Sequence, residues 1–88
     1  MDQANGNGRK AMPLHMVPVG GLGEVRTLLG GGNARRRLLD LGLIEGTRVE
    51  AIRRSPSGDP TAYQIRGAVI ALRSEEASKV IVEAQGEV

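Results

Sequence analysis

Asn33-Ala34-Arg35-Arg36-Arg37-Leu38-Leu39-Asp40-Leu41-Gly42-Leu43-Ile44-Glu45-Gly46-Thr47-Arg48-Val49-Glu50-Ala51-Ile52-Arg53-Arg54 holds the one convincing helical pattern of the chain, followed directly by a turn and a strand. Asn33 is a good N-cap for a helix starting at Ala34. Ala34, Leu38 and Leu41 then recur on one stripe, widened by Leu39, while Arg35, Arg36 and Asp40 keep to the wet side. Gly42 suits the left-handed position just past a helix end. That places Leu43 where it can cover Leu38 in a Schellman ending. A helix of about two turns does not hold in water alone, so it must lie on a sheet. Glu45 and Gly46 make the next turn, and Thr47 to Arg53 reads as a strand with Val49 and Ala51 on one face.

Outward from this stretch the chain reads as short strands. Leu14 to Val19, interrupted by Pro18 and preceded by Pro13, suits only an edge strand or a strand start. Gly20, Gly21 and Gly23 make a turn on which Leu22 sits, and Glu24 to Leu29 follows as a strand with Val25 inward. On the C-terminal side, Ser55-Pro56-Ser57-Gly58-Asp59-Pro60 concentrates turn chemistry. Thr61, Tyr63 and Ile65 then alternate with Ala62, Gln64 and Arg66 up to Gly67. Val69 to Arg73 is the next strand, with Ile70 and Leu72 on one face. Ser74 with Glu75 and Glu76 starts a single helical turn, and Val80 to Val82 is the last strand. Strands this short and closely spaced predict an all-β fold with a short helical insertion, a small barrel whose closure removes exposed edges and whose interior side chains fill. Residues 1–12, rich in Gly, Asn and Gln, read as a flexible N-terminal tail, 13–84 as the domain and 85–88 as a C-terminal tail.

Composition narrows the chemistry. A chain of 88 residues allows one small domain, and it hides only about 60% of its extended surface on folding, which disfavours a large substrate cavity. There is no cysteine, hence no disulfide, thiolate metal site or thiol nucleophile. His15 is the single histidine and stands in a proline-flanked segment, which suits a structural role better than a metal ligand. Asp40, Glu45 and Glu50 lie among arginines as surface ion pairs do. Gly21-Leu22-Gly23 lacks the third glycine of a dinucleotide loop, and no Gly-Lys-Ser or Gly-Lys-Thr marks a P-loop. No nucleophile with its base is visible, so no enzyme, cofactor or metal site is expected. The longest apolar run, Ala68 to Leu72, is far below a membrane span, and the default reading is a cytoplasmic protein without membrane insertion.

Net charge is +2, unevenly placed: Arg35, Arg36, Arg37, Arg48, Arg53 and Arg54 crowd the middle, while Glu75, Glu76, Glu83 and Glu87 crowd the end. The arginine triplet can meet nucleic-acid phosphate, an acidic protein surface, or only water. Tyr63 is the only aromatic residue and alternates with the inward set, which removes the stacking platform of a nucleic-acid barrel and the lined groove of a proline-peptide binder.

The blocks Arg37-Leu38-Leu39, Leu41-Gly42-Leu43 with Gly46, Pro56-Ser57-Gly58-Asp59-Pro60, Gly67, Ala71-Leu72-Arg73, and Glu76-Ala77 before Val80-Ile81-Val82, in this order and spacing, resemble the FeoA family. Looser similarity runs back through Gly30, Val25, Gly23 and Gly20 to Leu14. The resemblance implies an SH3-like small β-barrel and a cytosolic accessory role in ferrous iron uptake, binding the cytoplasmic G-domain region of the FeoB transporter. It also implies a likeness of fold to the C-terminal domain of metal-dependent repressors, which does not carry DNA binding with it. Two positions depart from the family's pattern. Glu45 stands where proline is common, and Ser57 stands where the loop commonly has an aliphatic residue.

The expected docking surface combines Arg36, Leu39, Leu43 and Ile44 at the helix end with Pro56, Gly58, Asp59 and Pro60 beside it. Basic charge at the rim around aliphatic surface at the centre is the usual division of an interface. Two large aliphatics directly after a helix do not both turn inward easily, so one of Leu43 and Ile44 is expected to join Leu22 in an exposed patch. The Gly58-Asp59-Pro60 loop also has a purely structural reading, with Gly58 supplying positive φ and Asp59 bonding nearby backbone. The alternative function is an SH3-like regulatory domain of the repressor type or a small basic nucleic-acid-binding barrel. Weak homo-oligomerisation is left open.

Overall fold

The computed structural model describes residues 10–85. Six strands, β1 (Ala11–Pro13), β2 (Leu22–Leu28), β3 (Arg48–Arg54), β4 (Thr61–Ile65), β5 (Ala68–Leu72) and β6 (Val80–Gln85), form one antiparallel sheet in the order β1-β6-β2-β3-β4-β5. Helix α1 (Gly32–Asp40) is inserted between β2 and β3, and the single turn α2 (Ser74–Ala77) between β5 and β6. The expected all-β architecture with a helical insertion is the one found.

The alternation read in the sequence sorts the side chains. Val49 and Ala51 of β3, Tyr63 and Ile65 of β4, and Val80 and Val82 of β6 are all buried in one core, as period-2 strands with one wet face require. The register shifts between Val25 and Thr27 against β6 and between Ala51 and Arg53 against β4. Such bulges bend the strands and increase local twist, which curls a short sheet around its core. The hydrogen-bonded ladder nevertheless has two ends. The outer edge of β5 carries no strand among the described residues, which corrects the expectation that closure removes every edge. A 3-10 turn after β1 (Leu14–Met16) packs against α2, so the space between the terminal strands is spanned by these connections and not by a ladder.

Other boundaries differ for identifiable reasons. Of the expected tail, residues 1–9 lie outside the described residues, but Ala11 and Met12 pair with Glu83 and Val82. At the other end Gln85 pairs with Leu22, and 86–88 lie outside the described residues. Leu14 to Val19 is not a strand. Leu14 turns in to become a fully buried core residue, and neither Pro13 nor Pro18 has an N–H to extend a ladder. Gly23 lies inside β2 and not in a turn, because a Cβ there would stand 2.8 Å from Val82 Cγ2; the glycine admits β6 at close range.

Helix α1 begins two residues earlier than its side-chain chemistry suggests. Gly31 is its N-cap, Asn33 lies within the first turn, and no side-chain cap forms. Leu38 is the only buried residue of the helix, so the apolar stripe is narrower than expected: Ala34 is exposed and Leu41 half-buried. The C-terminus follows the expected pattern. Gly42 has φ +100°, its N–H donates to the Leu39 carbonyl (2.9 Å), and the Leu43 N–H donates to the Leu38 carbonyl (3.1 Å). This is the double bond pattern of a Schellman motif.

Candidate docking surface

The turn after α1 carries the clearest surface feature. Of the two consecutive aliphatics, Leu43 is fully buried in the core and Ile44 is 47% exposed. Leu43 is thus removed from the expected docking residues, because the Schellman ending aims it at Leu38 beneath the surface. Ile44 is held outward by a tied turn. The Thr47 N–H donates to the Ile44 carbonyl (3.0 Å), the Thr47 hydroxyl donates to the Gly42 carbonyl (2.9 Å), and the Gly46 N–H donates to the Val25 carbonyl (2.8 Å). Thr47 is itself buried, so the hydroxyl bond locks the helix end to the turn in a water-poor setting. Ile44 lines a shallow groove with Glu45, Arg48, Gln64, Arg66 and Gly67. Alternation already aimed Gln64 and Arg66 outward, but only the tertiary structure shows that they meet Ile44.

Helix α1 presents Arg36 and Leu39 on its outer face, where they border a depression with Gly32, Asn33, Arg35 and Asp40. The three arginines separate in role. Arg35 Nη1 donates to the Leu28 carbonyl (3.0 Å), closing the end of β2, and Arg37 pairs with Glu76 of α2. Arg36 has no hydrogen bond or ion pair among the described residues. Leu22, half-buried in β2 opposite Glu50, does not share a groove with Ile44.

The Pro56–Pro60 loop stands elsewhere. It precedes β4, whereas the Arg66–Gly67 turn follows it, and five residues of strand hold Pro60 and Arg66 about 20 Å apart. The loop therefore does not lie beside Ile44, as the sequence reading placed it; Pro60 borders a different groove with Arg37, Ala71, Arg73 and Glu76. Gly58 has φ +95°, and Pro56 is exposed at the tip. Asp59 Oδ1 accepts the Ser74 N–H at 2.8 Å, fastening the loop to the first residue of α2. Its backbone partner is thus distant in sequence, where a local one was expected.

Other chemistry is sparse. Tyr63 is 1% exposed, and burial pushes its hydroxyl above the usual tyrosine range. The chain's only aromatic ring is therefore unavailable for base stacking. His15 Nδ1 is buried without a hydrogen-bond partner, and among the described residues no three of His, Asp and Glu converge as metal ligands would. No helix among the described residues is long and apolar enough to cross a membrane.

Comparison with known proteins bears on this surface. The family model described as "FeoA domain" matches residues 12–84. A fusion protein of Porphyromonas gingivalis, "Fe(2+) transport protein A/Fe(2+) transporter FeoB", is 35% identical over 54 residues, which are 61% of this chain and 6% of that protein. The chain thus spans a small fraction of that curated relative. A FeoA-like protein from Clostridium acetobutylicum superposes with a TM-score of 0.83 at 30% identity, over 90% of this chain and 92% of the other. Stenotrophomonas maltophilia FeoA complexed with zinc, described as a prokaryotic SH3 domain protein, gives a TM-score of 0.73 at 29% identity over 81% and 88%. A manganese-dependent transcriptional repressor, at 20% identity over 85% and 41% with a TM-score of 0.77, shares the fold alone. The fold is SH3-like.

Proposed function

Because the chain belongs to the FeoA family, which is associated with ferrous iron transport, we propose that it is a cytoplasmic accessory protein that docks on the cytoplasmic region of a FeoB-type transporter. The observation that carries this reading is the fusion protein, in which a segment similar to this chain shares one polypeptide with a FeoB transporter. Covalent linkage in one relative favours contact between separate chains in another, since a linker only raises the effective concentration of partners that already fit. The chain acts by contact and not by turnover, and it assists assembly or regulation of the transporter.

The docking surface runs from Arg36 and Leu39 on α1 to Ile44, rimmed by Arg48 and Arg66. An aliphatic centre whose rim carries Arg48 and Arg66 with the single acidic Glu45 suits a partner patch that is apolar within and mainly acidic at the border. Leu43 supports this surface from below, and the Pro56–Pro60 loop, with Gly58, Asp59 and Pro60, forms a separate second contact. The experiment is capture of the isolated FeoB cytoplasmic domain by the full chain and by an Arg36→Glu/Ile44→Asp variant. Loss of capture with an unchanged circular dichroism spectrum is expected. Undiminished capture removes this surface from the docking site.

A further inference from the structure

We propose that two copies of this chain pair through the outer edges of their β5 strands, antiparallel and centred on Ile70. The proposal shares only Arg66 with the docking surface and concerns the opposite side of the β4–β5 hairpin from β3. Strand β5 pairs with β4 on one side, and its other side carries no strand among the described residues. Its residues, Ala68-Val69-Ile70-Ala71-Leu72, include no charge and no proline. Ala68 and Ala71 are exposed, and Val69 is 61% exposed. Edges in soluble proteins are ordinarily guarded by charge, proline or a bulge. This one has none of these; both register shifts lie in other strand pairs.

The hydrogen-bonding parity of the edge follows from the hairpin. Ile65 and Ala68 flank a two-residue turn, Arg66–Gly67, in which both residues have positive φ (51° and 84°). In such a hairpin the flanking pair exchanges both of its backbone hydrogen bonds, and alternate residues repeat the pattern. Ala68, Ile70 and Leu72 therefore spend their N–H and C=O groups on β4, while those of Val69 and Ala71 face outward. A second copy aligned antiparallel about Ile70 brings Val69 of each chain opposite Ala71 of the other, so both free pairs are satisfied at once.

Side chains and charges agree with the same alignment. On the outer face the larger Val69 meets the smaller Ala71 of the second copy. Beyond the strand ends, the turn residue Arg66 comes near Ser74 and the exposed Glu75 of the second copy, and the reciprocal contact repeats at the other end. Centring on Ala71 would set Val69 against Arg73 instead, and centring on Val69 would set Ala71 against Gly67. A single five-residue edge buries far less than the area of roughly 1,200 Å² or more typical of stable complexes, so the association is weak and reversible.

Because the chain contains no cysteine, single-cysteine variants of the full chain report the register directly. Facing Cβ atoms at the central non-hydrogen-bonded pair stand about 4.5–5.5 Å apart, close to what a disulfide spans. Under mild oxidation Ile70→Cys should form a covalent dimer several-fold faster than Val69→Cys or Ala71→Cys. Equal rates, or none, overturn the proposal. Since Ile70 packs partly against the core, sedimentation of the unaltered chain provides the second measurement. From about 10 μM to about 1 mM, its average mass should rise toward twice the monomer value, and Val69→Lys should abolish the rise. A monomer throughout, or a rise unaffected by Val69→Lys, rejects the pairing. Neither measurement involves a transporter, so failure here leaves the docking reading standing.

Discussion

The side chain of Arg66 lies across Gly42. A Cβ built on Gly42 would collide with Arg66 Cδ and stand 3.3 Å from its Cγ. The Arg66 side chain therefore connects the end of α1 with the β4–β5 turn. Arg66 also lines the groove around Ile44, so this contact joins the groove to the helix end, although 24 positions separate the two residues in the chain.

Gly42→Ala meets a φ of +100° that L side chains rarely adopt, while the exposed Arg66 side chain can swing aside from the new Cβ. A loss of about 1–3 kcal/mol is expected, read as a lower urea midpoint with unchanged slope. Gly31→Ala is the control. Its φ of −152° is ordinary extended backbone and its Cβ position is open, so that variant should lose less, limited to the weaker N-cap preference of alanine. Equal losses at the two sites would contradict the left-handed backbone requirement at Gly42.

Leu43 and Ile44 should separate sharply in stability. Truncating the fully buried Leu43 to Ala is expected to cost about 2–5 kcal/mol. Ile44→Ala, at the surface, should stay within about 0.5 kcal/mol. Chemical denaturation of both variants checks this, and a large loss at Ile44 would place it in the core.

Asp59→Ala removes the acceptor for the Ser74 N–H, leaving the first turn of α2 with Glu76 Oε1 on the Arg73 N–H (3.0 Å) as its remaining side-chain bond. By analogy with helix caps, the loss should be about 1 kcal/mol. Asp59→Asn, which keeps an oxygen there, should lose less. The Arg73–Asp59 contact, 3.9 Å between exposed groups, adds little. Thermal melts of the two variants that coincide would show that the bond is not what matters.

Tyr63 gives the fold an alkaline limit. Burial, opposed in part by a hydrogen bond to Thr61, holds its ionisation above that of an unfolded tyrosine. The folded state thus favours the neutral phenol. That contribution is complete below a pH of about 10, where the unfolded chain begins to ionise, and is lost as pH rises through the folded value. Phenolate absorbance should appear later in the native chain than in urea, and stability should fall over the same alkaline window. Since Tyr63 is the only tyrosine, the signal has one source. Coincident titrations would mean that the ring is wet.

Local pattern carried much of the fold. The alternation of Thr61, Tyr63 and Ile65, the Schellman ending at Gly42, and the helical turn at Ser74 follow from side-chain period and turn chemistry within a few residues. They were therefore legible without coordinates. Asn33 misled for the same reason: a good cap is only a local preference, and Gly31 took the position without offering a side chain.

What the sequence by itself determined is a small aliphatic sheet with one inserted helix. Tertiary structure alone decided which of Leu43 and Ile44 is outside, that Asp59 serves α2, that Gly23 admits Val82, and that Pro56–Pro60 stands at the far end of β4 from Ile44. It also decided that β5 keeps an open edge. The reason is range. Dihedral preferences and hydrophobic period act between near neighbours, whereas contacts across strands depend on register and bulges, which the whole sheet fixes together.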